Sequence, residues 1–408
     1  MKYRRLRLSL ACSTYVQKVN TYKTDHFVGQ QNKPQNILSS SFITMDSRIY
    51  QIAINYLDGI GPVYARRLIK RLGDPRPIFS EPLDHLLCLE EIPRTNLLNM
   101  QRTNALELAR KELDNMEKHG VSNLFYQDEK FPHRLEYCND APTNLFAKGS
   151  INLNTNKVIS IVGTRHSSAY GVQMVNQFIE EISSKDILIV SGMAFGIDIS
   201  AHRAANRCGV NNTAVLAHGL DRVYPSQHVS EARRTLNNGG WLSEFPIGTA
   251  PDRENFPMRN RIVAGLADVT IIVESASTGG SLITAELAHA YNREVAAYPG
   301  RVIDKYSQGC NTLIRTQKAA LIHNLSDLEK LMGWDLKNQN PERQIRLFDD
   351  LSTEEDLIMR CLQKKRMVAI DELSVNSGLS SGQVSHLLLQ MEFKGIIRSH
   401  PGKLYATI

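Results

Sequence analysis

The chain has 408 residues, 42% of them apolar, and a formal charge of +6; this length predicts two or three domains with buried cores. No run of 18 apolar residues occurs, which argues against a membrane span, and six scattered cysteines without a Cys-x-x-Cys argue against a zinc site or disulfide framework and for a reducing cytosol. The charge is local: residues 1–45 hold seven Lys/Arg and one Asp, while the other 363 hold 41 of each sign, so any polyanion site in the folded body must be a local cluster.

Residues 1–45 are polar and weakly periodic, without the apolar core of a signal peptide. They are expected to be a disordered tail or an extension upstream of a start at Met45, with a basic DNA-binding arm left open. Segment 46–115 reads as short helices around Leu57-Asp58-Gly59-Ile60-Gly61, a helix-hairpin-helix pattern whose N–H groups can touch a DNA phosphate. Ten acidic and ten basic residues there leave open a helical domain that keeps the packing without the contact. Segment 116–156 reads as a connector, with Phe131-Pro132 interrupting any helix.

From Lys157 to about residue 333, strands alternate with helical stretches: 157–162, 187–190, 213–217, 241–243, 269–273 and 294–297. That pattern predicts a Rossmann-like α/β domain, a parallel sheet with helices on both faces. A polar link, 334–350, leads to 351–408, whose order of three helices and a strand pair around Pro401-Gly402 matches a winged helix. Its recognition helix is short of basic groups; Gln383 alone suits base reading, so a protein contact or weak duplex binding is expected.

Residues 253–290 carry the strongest signal. Phe256-Pro257-x-Arg259-Asn260-Arg261 leads into a short apolar segment, then a strand, then Thr278-Gly279-Gly280-Ser281 and a helix from about Leu282. Strand, glycine turn and helix start aim backbone N–H groups and a positive helix end at an anion. Nearby guanidinium groups suggest phosphate, as nucleotide or polynucleotide.

The first βα turn has Gly163 but lacks the Gly-x-Gly-x-x-Gly of an NAD site, so no cofactor is expected. It places Arg165 at a strand's carboxyl end, with Ser167 or Ser168 free to cap the next helix. The second turn brings Ser191, Gly192 and Phe195, the last a base-stacking ring if exposed and ordinary core if buried. Asp198 and His202 share a helix face but lack a third ligand, so no metal is expected. Asp198, Asp221, Glu244 and Glu274 are candidate carboxylates for hydrolysis that the sequence does not pair; no triad context or Gly-x-Ser-x-Gly elbow occurs.

Gly163-Thr164-Arg165, SGMAFGIDISAH (191–202), LAHGLDRVYP (216–225), SEFP (243–246), FPMRNRIVAG (256–265), GGSLITAELA (279–288) and PGRVIDKYSQGCNTLI (299–314) together resemble the DprA (Smf) family of DNA-processing proteins, over roughly residues 46–408. The resemblance implies a non-enzymatic, cytoplasmic homodimer that binds and protects single-stranded DNA and loads RecA recombinase onto it in natural transformation. It carries a DNA pocket onto Gly163, Thr164, Arg165, Ser191, Gly192, Phe195, Arg259, Asn260, Arg261, Gly279, Gly280 and Ser281. On this reading Arg165, Arg259 and Arg261 grip successive phosphates, the glycine-turn amides cradle one, and Phe195 stacks a base. Phe195 stands where the family often has arginine, and Gly280 departs from a common Ser-Gly-Ser order. The alternative is a nucleotide-processing hydrolase similar to the nucleoside-monophosphate phosphoribohydrolases. For that family's catalytic turn Glu286 is off-register and the Gly-Thr pair is missing.

Overall fold

The computed structural model describes residues 40–335 and 351–407, apart from Glu90, Glu91, Lys364, Arg366 and Pro401; the expectations for residues 1–39 and for the link 336–350 lie outside them. Its centre is a nine-stranded sheet: β1 (Ser122–Phe125), β2 (Asn144–Gly149), β3 (Val158–Val162), β4 (Leu188–Ser191), β5 (Asn212–Val215), β6 (Gly239–Ser243), β7 (Val269–Ile272), β8 (Glu294–Ala297) and β9 (Ala320–Leu321). The spatial order is β1-β2-β6-β5-β4-β3-β7-β8-β9. Strands β3 to β9 run parallel, and β1 and β2 add an antiparallel edge beside β6.

The parallel strands form because VISIV, LIVS and VTII are short, largely β-branched runs buried along their whole length, as both faces of a helix-covered sheet require. One face packs a core containing Val162, Val190 and Ile272. The other holds Ile161, Ile189 and Ile271 against the helices Ala169–Glu181 and Ile197–Cys208. The six strands read from the sequence are present, with ends shifted by up to two residues. The segment read as a connector differs: it supplies β1, β2 and the short helix His133–Glu136. A buried ion pair fixes that helix, Arg134 donating to both oxygens of Asp268 at 2.7 and 2.8 Å.

The N-terminal helices close one core, with Leu57, Ile60, Leu68, Ile69 and Leu97 buried together and continuous with Phe146, Leu216 and Trp241 of the sheet. Asn96 Nδ2 donates to the Gly59 carbonyl at 2.6 Å, so the start of the helix Arg94–Asn99 closes over the glycine hairpin.

The C-terminal domain is a winged helix. Helices Thr353–Leu362, Ile370–Ser377 and Ser381–Phe393 precede β11 (Ile397–His400) and β12 (Leu404–Thr407), with β10 (Val368–Ala369) completing a small sheet. Gln383, the one base-reading candidate, is engaged in a capping box with Ser380. Leu389 and Phe393, one helical turn apart, are exposed apolar side chains on that helix, which fits a protein contact better than base reading.

The helix Ile197–Cys208 is tied to β5 by a buried histidine: His202 Nδ1 lies 2.8 Å from Asn212 Oδ1. Because Asn212 Nδ2 donates to Asn206 and Val210, its oxygen accepts and Nδ1 carries the proton. Burial pushes the imidazole down to about 4, against the pull of the Asn212 bond. The unfolded chain binds this proton below about 6.5 and the folded chain only below about 4, so acidification through that window destabilises the fold. His202→Gln is expected to flatten the fall of unfolding free energy between these pH values by up to about one proton. Chemical unfolding across the pH series checks this; an unchanged slope contradicts it.

Candidate functional site

The strand order reverses between β3 and β7, and the loops that follow them part at their carboxyl ends, where open α/β sheets bind ligands. A cavity of about 880 Å³ opens there, lined by the β3 loop, by residues from Pro251 to Asn260, by the glycine turn Thr278–Ser281, and by Lys305 and Tyr306. Its lining holds the cations Arg165, Arg253, Arg259 and Lys305 against one carboxylate, Asp198. The helix Gly280–Ala290 begins at the cavity, where its first amides lack intrahelical acceptors and its dipole is positive.

The β3 loop is fixed from two sides. Thr164 N–H donates to Glu274 O at 2.7 Å, and the Thr164 carbonyl accepts from Ile197 N–H at 3.2 Å. The helix can come this close because Gly196 sits at φ 77° and a Cβ there would strike the Thr164 carbonyl. Of the two serines, Ser168 is the cap: it accepts from Gly171 N–H and donates its own hydroxyl to Glu274 Oε1 at 2.5 Å. Arg165 is left exposed at the rim, 5.4 Å above the Phe256 ring, a contact that orients a guanidinium without neutralising it.

Arg259 is a buried cation beneath the cavity. Its Nη1 donates to Gly192 O and Val215 O, both at 2.5 Å, bridging the tips of β4 and β5. A Cβ on Gly192 would stand 2.6 Å from the guanidinium, so a side chain there would displace it. Burial pushes Arg259 down to about 10, with Asp198 pulling it back up, so it is charged at neutral pH. Burial pushes the Asp198 carboxyl up, and Arg259 opposes that.

Of the expected residues, Gly163, Thr164, Arg165, Arg259, Asn260, Gly279, Gly280 and Ser281 converge on the cavity. Four do not line it. Ser191 is fully buried, donating to Ile161 O at 2.7 Å, and Gly192 makes room for Arg259, so both support the site from beneath. Phe195 is exposed, yet lines a separate hollow and meets His228 edge-on at 4.7 Å. Arg261 departs furthest: its buried guanidinium pairs with Glu244 and donates to Asp140 O. The physical reason is that FPMRNR lies within the helix Asn255–Leu266. Residues two apart on a helix point to different sides, so Arg259 and Arg261 diverge.

The sequence reading missed His166, Arg253, Lys305 and Tyr306, and it used Phe256 only as part of a motif. His166 stacks on Tyr306 at 6.0 Å, a second aromatic group in the lining beside Phe256. Tyr306 was legible as an aromatic residue in the PGRVIDKYSQG motif. Three of the four candidate hydrolytic carboxylates are engaged away from the cavity: Asp221 accepts from Gly248 N–H and Arg222, Glu244 pairs with Arg261, and Glu274 holds Ser168; the fourth, Asp198, is buried in the cavity lining. Glu286 is exposed and outside the cavity lining.

The family model described as DNA recombination-mediator protein A matches residues 122–333, and one for the DprA winged helix domain matches 346–403. The chain is 31% identical over 323 residues to Protein Smf of Escherichia coli, covering 76% of this chain and 85% of that protein. It is 35% identical over 257 residues to the DNA processing protein DprA of Bacillus subtilis, covering 63% and 86%. The X-ray structure of DNA processing protein A from Streptococcus pneumoniae superposes with a TM-score of 0.57 at 28% identity, covering 71% of this chain and 95% of that one.

Removing one partner of a buried ion pair strands the other. Arg261→Ala is therefore expected to lower the unfolding free energy by about 3–5 kcal/mol, and the double variant Glu244→Leu with Arg261→Met to recover most of it. Denaturant titration checks both; parent-like stability of Arg261→Ala would return that arginine to the list of ligand contacts.

Proposed function

The chain belongs to the DNA recombination-mediator protein A family, and we propose that it binds single-stranded DNA in the switch-point cavity and acts as a non-enzymatic mediator of recombination. One observation carries the reading: four cations, a helix N-terminus and two aromatic walls face a single hollow with one carboxylate. That combination suits a sugar-phosphate chain with stacked bases.

Arg165 and Arg253 hold phosphates at the rim, and Lys305 holds one opposite them. The amides at Gly280 and Ser281 cradle another phosphate at the positive end of their helix. Arg259 supplies charge from below, already bound to two carbonyls, so its role is field and scaffold. Phe256 and the His166–Tyr306 pair take bases by stacking, worth about 1–3 kcal/mol per base. Nothing in this set reads a base edge, so binding is nearly sequence-blind and strongly salt-dependent. A cavity of about 880 Å³ holds a few nucleotides, and homodimerisation joins two such sites on one strand.

On this reading the protein works in the cytoplasm, shields incoming strands and loads RecA onto them in natural transformation; the motif resemblance supports those steps.

Arg165→Ala is expected to weaken oligothymidylate binding about tenfold and to flatten the slope of log affinity against log salt by about 0.7, the loss of one phosphate contact. An unchanged slope removes Arg165 from the site. Incubation with AMP is expected to release no base; release above background would favour a nucleotide hydrolase.

A further inference from the structure

A second hollow lies just across the β3 loop from the cavity. His166 lines the first, and its neighbour Ser167 lines the second, of about 390 Å³. Phe195 stands at this hollow with 41% of its surface exposed. The main chain leading to the ring is pinned. Gly192 O accepts from Arg259, and Met193, a non-glycine residue at φ 58°, accepts from His228 Nδ1 at 2.8 Å. A left-handed non-glycine residue persists only where its surroundings hold it, so the ring is presented in a fixed position.

One side of the hollow is the outer face of the helix Ile197–Cys208, with Val172 and Asn176 of the helix Ala169–Glu181 and Gln227 and His228 completing the lining. Arg203 and Arg207 lie four residues apart on that face, about 6 Å along the axis, a repeat of the same order as the phosphate spacing in an extended strand. Glu180 pairs with Arg207 at 2.9 Å, both partners being half-exposed, so that pair is weak and exchangeable. Arg203 is exposed. Burial holds the His228 imidazole below its usual range, with Arg203 adding to the effect, so it backs Phe195 as a neutral ring.

We propose that this hollow is a second subsite for the same single strand. The strand leaves the switch-point cavity over the β3 loop, stacks a base on Phe195 and lays its next phosphates along Arg203 and Arg207. The inference rests on the cavity being a single-strand site. It adds a path and a direction: across the β3 loop, toward the C-terminus of the helix Ile197–Cys208. A ring beside two guanidinium groups on one helix face suits a base and its phosphates.

The test compares full-length chains binding oligothymidylates of about 4 and about 16 nucleotides. Arg203→Glu and Phe195→Ala, both at exposed positions, are each expected to weaken the longer oligomer about fivefold or more and to leave the shorter unchanged. Arg165→Ala weakens both. Parent-like binding of the longer oligomer by either variant overturns the subsite, as does equal weakening at both lengths. An acidic peptide binding the parent and lost in Arg203→Glu, with long-oligomer affinity untouched, would mark the hollow as a protein contact. Failure of the parent to bind either length would overturn the cavity's own assignment.

Discussion

Arg259 is a guanidinium placed under the sheet's carboxyl edge and held there by two main-chain carbonyls, Gly192 O and Val215 O. Removing such a charge from water costs several kcal/mol. Two hydrogen bonds to a charged donor return about 1.5–3 kcal/mol each, and Asp198 adds a carboxyl whose burial pushes it toward its neutral form. The cation is therefore satisfied in hydrogen bonds. The cavity above it is lined by more cations than carboxylates, which suits the proposed phosphate contact, and the same bonds clamp the tips of β4 and β5. One side chain thus couples the shape of the sheet edge to the charge of the site.

The neighbouring constraints follow from that placement. Gly192 has no side chain because the guanidinium occupies its Cβ space, and Gly196 has none because the Thr164 carbonyl occupies that of its own. The β3 loop is thereby pressed between the helix Ile197–Cys208 and Glu274, with Arg165 projecting over Phe256. A rigid loop presenting an exposed cation lowers the ordering cost of binding, which suits the sequence-blind binding proposed for the site.

The sheet was legible because its parallel strands are short apolar runs between turn residues, and the winged helix because its capping serines and glycine turn mark the helix ends. The antiparallel edge was not: SNLF and NLFAKG lack both alternation and a hairpin turn, and the chain between them folds as a helix and loops. In the site, the glycine turn and Arg165 were legible because strand-turn-helix punctuation is local. That Arg259 and Arg261 diverge was not legible in FPMRNR because a proline near a helix start looks like a break; Pro257 falls in the helix's first turn, where its missing N–H costs nothing. Reading that run at a period of 3.6 would have separated Arg259 from Arg261. Phe195 was legible as a candidate, but its place in a separate hollow was not, since that hollow is built with residues such as His228, thirty-three positions away in the chain.

The most direct measurement is a crystal structure of the full chain with a short oligothymidylate. The account predicts a phosphate within about 3 Å of Arg165 and another on the amides at Gly280 and Ser281, with bases against Phe256 and Tyr306. A strand seated on the winged helix, or elsewhere with the switch-point cavity empty, would contradict it.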